Sequence, residues 1–172
     1  MIHKEACYKI DPIEMGDEAI LALLGRIREK GLETEGILDI MVNVSCSAER
    51  KLFLSRNRDL DETHMWTNAA IIALAMRGEE VKDYYQPYSI MGGAELLEEM
   101  EKDVPAVTKA VLELLESEPI IPGEYDCVCS PEVTGMIVHE AFGHGVEMDM
   151  FVKDRALAAR FVGQRVASEL VS

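Results

Sequence analysis

The chain has 172 residues, 48% of them hydrophobic, which is enough for a sizeable core and too apolar for a disordered segment. Its 17 basic and 32 acidic residues leave a formal charge of −15, which repels phosphate backbones and anionic lipid and argues against nucleic acid as a partner. No apolar leader follows Met1-Ile2-His3-Lys4-Glu5 and no long uninterrupted apolar run occurs, so no membrane segment is expected; the four cysteines are read as free thiols, as in a reducing cytoplasm.

In chain order, Asp17 is placed to cap a helix whose Ile20, Leu24 and Ile27 share a face, with Gly31 placed to end it. Ile40, Val42 and Val44 alternate with Met41 and Asn43, which predicts a strand over residues 37–45; a turn around Ala48-Glu49-Arg50 and a second strand over 51–56 would close a hairpin. Residues 65–76 mix helix and strand formers. They are read as a strand because Gly78 turns them toward another β-like run at 81–89.

From 94 to 117, Leu97, Met100, Val104, Val107, Val111 and Leu114 step by three and four, which predicts a helix with one buried stripe. Pro105 should kink that helix or mark a restart capped by Asp103. Pro119 and Pro122 form a linker, residues 125–129 read as a short strand, and Ser130-Pro131 reads as an N-cap with proline at the first helical position. The fold class is therefore α+β: an antiparallel sheet of about four strands packed by long helices, then a short strand and a motif-bearing helix. The expected division places helix, sheet and long helix in residues 1–122 and the start of a second domain in 123–172.

On the last helix, Val133, Ile137, Glu140, His144 and Glu147 form a stripe that turns from apolar to ionisable halfway along. Two readings fit Glu140 and His144. They form an ion pair on a solvated face, or they belong to a metal site, which the adjacent His139, Gly143, Gly145, Glu147 and Asp149 favour. His139 and His144 are five residues apart, so a regular α-helix would point them about 140° apart. Both can ligate one metal only through a distortion such as a π-bulge, with glycine relieving the strain, or if the helix ends near Gly143. His3 and His64 are read as ordinary residues, Cys127 and Cys129 as structural thiols, and Tyr84, Tyr85 and Tyr88 as sheet-face packing or the wall of a peptide groove.

The run His139-Glu140-Ala141-Phe142-Gly143-His144-Gly145-Val146-Glu147, followed by Phe161-Val162-Gly163-Gln164 and Val166-Ala167-Ser168-Glu169-Leu170, resembles the H-E-x-x-x-H region of the TldD/PmbA family of metallopeptidases. The Asp11-Pro12 start, helix, sheet and long helix are similar to that family's middle portion. The resemblance implies a zinc (Zn2+) peptidase of the TldD type acting on unfolded or natural peptides, in a heterodimer with a TldE/PmbA-type subunit. It makes His139 and His144 metal ligands and Glu140 the general base. The third ligand would be a cysteine downstream of Ser172, matched by none of the four cysteines here. Glu147 would orient an imidazole, the favoured role, or stand in as a ligand. The chain is then expected to be an internal piece of such a protein and inactive alone. Two alternatives remain: a non-catalytic partner subunit, against which the intact His139, Glu140 and His144 weigh, and a metal-binding scaffold without peptidase activity.

Overall fold

The computed structural model describes residues 2–170. The chain divides into two compact units, Met1–Pro119 and Ile120–Ser172.

The first unit contains β1 (Ile2–Lys4), α1 (Pro12–Met15), α2 (Asp17–Leu32), β2 (Ile37–Leu54), β3 (Asp59–Arg77), β4 (Glu80–Ile90) and α3 (Leu96–Leu115). β3 is the central strand. It pairs antiparallel with β2 and β4, and Ile2, His3 and Lys4 lie parallel beside Leu60, Asp61 and Glu62. The α+β class holds, but the sheet is mixed where an antiparallel one was expected. A three-residue strand has no periodicity to read, so only its pairing reveals it.

The turn expected at Ala48-Glu49-Arg50 is absent, and β2 continues through it as a single strand paired with β3. The chain reverses at Ser55–Arg58 instead. There the Ser55 N–H donates to the Arg58 carbonyl at 2.8 Å, and the Ser55 hydroxyl accepts from the Asn57 and Arg58 amides at 3.3 and 2.9 Å. Serine and asparagine supply this turn chemistry, which Ala48-Glu49-Arg50 lacks. The second reversal falls at Gly78, as expected, with φ of 63° in a two-residue loop between the paired Arg77 and Glu80; glycine at that position accepts the positive φ without strain.

The core lies between one face of the sheet and the two long helices. Ile40, Ala69, Ile71, Ala73 and Ala75 meet Leu23 and Ile27 of α2 and Leu97, Met100, Val104, Val107 and Val111 of α3. Gly16, with φ of 79°, is the N-cap of α2 and Asp17 its first residue, one position from the expected cap. Gly31 does not end α2 but lies within it. A Cβ there would stand 2.7 Å from Cγ1 of the buried Ile40, so this glycine permits close approach of helix and strand. Helix α3 runs unbroken through Pro105, with no restart at Asp103. The proline deprives the Glu101 carbonyl of its helical donor, and Lys30 Nζ donates to that carbonyl from α2 at 2.7 Å.

At the far end of the sheet, Arg50 grips Asp61 through two hydrogen bonds of 2.9 and 2.8 Å, and His3 Nδ1 lies 3.4 Å from the same carboxylate. The Arg50 guanidinium, more than burial opposes it, holds the Asp61 carboxyl below the usual range. A depressed folded-state pKa gives stability that is present above the unfolded value of about 3.9 and lost as pH falls through the folded one. The urea midpoint of Asp61→Asn should therefore lie below the parent's above about pH 5, and the gap should close as pH falls through the depressed folded-state value. A gap that does not narrow as the solution is acidified would contradict the assignment.

In the second unit, residues 120–130 are irregular, so the strand expected at 125–129 does not form. A strand exists only through pairing, and among the described residues none pairs with this segment. Cys127 and Cys129 are consequently exposed rather than built into a core. Then follow α4 (Pro131–Val138), a π-turn (His139–Gly143), a 3-10 turn (His144–Val146), α5 (Met148–Val152) and a second 3-10 turn (Leu157–Phe161). Among the described residues no helix is long and apolar enough to cross a membrane.

Candidate metal centre

Helix α4 starts as its sequence dictates. The Ser130 hydroxyl accepts from the Val133 amide at 3.4 Å, and Pro131 occupies the first turn, where a missing N–H costs nothing. After Val138 the helix widens, and the His144 N–H reaches back five residues to the His139 carbonyl. The wider turn carries one extra residue and returns residue i+5 to the side of residue i. A five-residue spacing that would separate two side chains on an α-helix thus brings them together. The expected contribution of glycine is not seen, since Gly143 has ordinary helical angles and a Cβ there would make only van der Waals contact with the His139 ring at 3.8 Å.

The imidazoles of His139 and His144 stand edge to face with centroids 4.4 Å apart. One nitrogen from each, together with one Glu140 oxygen, lie within 4.8 Å of one another, and all three residues are exposed. Tetrahedral ligands about 2.1 Å from a zinc ion are about 3.4 Å apart, so modest side-chain rotation closes the two imidazoles around one ion, with the Glu140 carboxylate beside it. Paired imidazole nitrogens suit zinc. Among the described residues no cysteine joins the group.

Glu147, on the residue after the 3-10 turn, holds the His144 ring at Nδ1 over 2.7 Å. With Nδ1 donating to that carboxylate, the lone pair is left on Nε2, which faces Glu140 at 3.9 Å. His3 and His64 lie in the first unit beside carboxylates, His3 near Glu5 and Asp61, His64 near Glu62, as expected for ordinary residues. Tyr84 and Tyr88 pack against the core while Tyr85 is exposed.

The second motif block also finds its place. Phe161 and Val166, with Leu157, face Ala141, Phe142 and Gly145 across an apolar cavity of about 390 Å³. Gly163, with φ of 78°, turns the chain between them, and the Gln164 amide donates to the Phe161 carbonyl at 2.8 Å. From sequence these residues carried only a resemblance; the structure gives them contact with the motif turn. The signal available was the lone aromatic Phe142 inside an ionisable run.

Residues 122–172 match the family model described as the PmbA/TldA metallopeptidase C-terminal domain. A protein named metalloprotease from Methanothermobacter thermautotrophicus is 27% identical over 141 residues, covering 80% of this chain and 31% of the relative. A metalloprotease of Methanocaldococcus jannaschii is 34% identical over 61 residues, 36% of this chain and 14% of the relative. One from Archaeoglobus fulgidus is 28% identical over 82 residues, 48% of this chain and 19% of the relative. The chain thus spans at most about a third of the length of these relatives. No solved structure gives a significant match. The segment carrying the H-E-x-x-x-H turn thus matches the PmbA/TldA metallopeptidase C-terminal domain, and most of the chain is similar to an archaeal metalloprotease.

Proposed function

We propose that the protein serves zinc-dependent hydrolysis of peptide bonds in unfolded or natural peptides, with His139 and His144 as metal ligands and Glu140 as general base. The observation that carries this reading is the π-turn, which gathers one donor atom from each of the three residues within 4.8 Å. An ion pair between Glu140 and His144 alone would need neither the π-turn nor His139. Their closest approach is 3.9 Å, while His144 is already engaged by Glu147 at 2.7 Å.

Zinc held there would lower the pKa of a water molecule and polarise the scissile carbonyl. Glu140, one residue from a ligand and open to solvent, accepts the water's proton and returns it to the leaving amine. Glu147 fixes the His144 tautomer and ring orientation, a positioning role of the kind carboxylates play beside zinc-bound histidines. Family resemblance supplies the rest of the reading: a third ligand from a cysteine downstream of Ser172, a TldE/PmbA-type partner subunit, and a cytoplasmic setting.

The test is an assay of the protein carrying the downstream region on an unstructured peptide. A chelator should abolish turnover and added zinc should restore it. Turnover that survives chelation would overturn the mechanism, and bound zinc without any turnover would assign the site to the metal-binding scaffold.

A further inference from the structure

The core occupies one face of the sheet, where Ile40, Ala69, Ile71, Ala73 and Ala75 are buried. The pleat turns the alternate residues to the opposite face, which stays open: Met41, Met76, Val81 and Tyr85 are 46%, 46%, 49% and 57% exposed. Strand register sets this face in rows, with Met41 and Tyr85 on either side of Ile72, Asp83 beside Leu74, and Val81 beside Met76. Thioethers and a tyrosine make an adaptable apolar surface. Among the described residues, Asp83 has no cation within ion-pair distance, while Asp39, across Leu74 from it, is held by Arg28 at 2.8 Å. β4 is bonded to β3 along one edge only, so its other edge carries unpaired backbone N–H and C=O groups. Pro87 has no N–H to offer, which leaves residues 80–86 as the usable edge.

We propose that residues 80–86 are a docking edge for an extended polypeptide segment of mixed apolar and basic residues, which adds to the sheet as a strand beside β4. Its backbone pairs with the edge, and every second side chain falls on the open face beside Val81, Asp83 and Tyr85. Apolar side chains lie against Val81 and Tyr85, and a lysine or arginine between them meets Asp83. Charge selects the basic segment over an acidic one, because Asp83 is the charge on that row and the whole chain carries −15. An extended segment fits better than a folded partner, since its own backbone groups are still unpaired and can satisfy the edge. That such a segment is a substrate rests on the peptidase reading; the binding itself requires nothing of the metal centre.

Peptide binding by the metal-free 172-residue chain tests it, followed by fluorescence anisotropy and amide hydrogen exchange. The probe is a labelled peptide of about 12 residues in which valine and lysine alternate at every second position, with threonine between. A dissociation constant of about 10–100 µM is expected, with exchange slowed within residues 80–86. The same peptide with glutamate in place of lysine should bind at least about tenfold more weakly. Asp83→Lys should reverse that preference, and Tyr85→Ser should weaken both peptides by about tenfold. Both positions are exposed, and unchanged circular dichroism confirms the fold of each variant. No binding at about 1 mM, a parent indifferent to the peptide's charge, a preference that Asp83→Lys leaves unchanged, or slowed exchange along β2 in place of β4 would each overturn it. So would exchange in residues 80–86 that slows with protein concentration alone, which would give the edge to a second copy. Zinc-dependent turnover is measured separately, so either reading can fail while the other stands.

Discussion

Glu140→Gln is expected to reduce peptide turnover by about a thousandfold while leaving zinc content unchanged. The amide keeps the size of the carboxylate and cannot accept a proton. His139 and His144 stay paired, because the π-turn rests on the backbone bond from the His144 N–H to the His139 carbonyl, not on the Glu140 side chain. His144 also keeps its Glu147 partner at 2.7 Å. Turnover by the substituted protein within about tenfold of the parent would remove Glu140 from the chemistry. Lost zinc would move it into the ligand set instead. Metal analysis beside the kinetics separates the two outcomes.

Gly93→Ala should destabilise the first unit by about 3 kcal/mol. An added Cβ would fall 2.0 Å from the Ile10 carbonyl oxygen. That carbonyl cannot simply retreat, because the Ala94 N–H donates to it at 2.9 Å. The Ile10 N–H is itself bound to Glu95 Oε2 at 3.0 Å, and the Gly93 N–H donates to Glu95 Oε1 at 3.1 Å. Burial pushes the Glu95 carboxyl up, but backbone N–H groups, its own together with those of Ile10, Gly93 and Lys9, outweigh it and leave the group below its usual range. Relief of the clash must therefore break part of a connected set that ties the chain before α1 to the start of α3. Urea unfolding measures the loss. A change of less than about 0.5 kcal/mol would show that the segment yields freely.

Helix α3 was legible because twenty residues repeat one apolar stripe, and Pro105 did not break it since Lys30 from another helix takes up the carbonyl it frees. That rescue is a tertiary contact and leaves no local trace. The sheet was read in outline through alternation in β2 and glycine at the β3–β4 turn. The full length of β2 was not, because Ala48, Glu49 and Arg50 interrupt its apolar alternation and only the continuous pairing with β3 carries the strand through them. The segment 125–129 has strand composition, but pairing decides strands, and composition alone could not supply a partner. At the site, the five-residue spacing of His139 and His144 required a bent helix, and the π-turn is that bend. Its dependence on glycine was a wrong inference, because a π-turn gains its extra residue through the hydrogen-bond pattern and needs no unusual φ.

The central claim is that the π-turn presents His139 and His144 to one metal ion, and X-ray absorption at the zinc edge tests it most directly. With one equivalent of zinc added, the parent should show two imidazole nitrogens at about 2.0–2.1 Å, and His139→Ala and His144→Ala should each show one. Zinc with no imidazole in its first shell, or a parent spectrum unchanged by either substitution, would contradict the account.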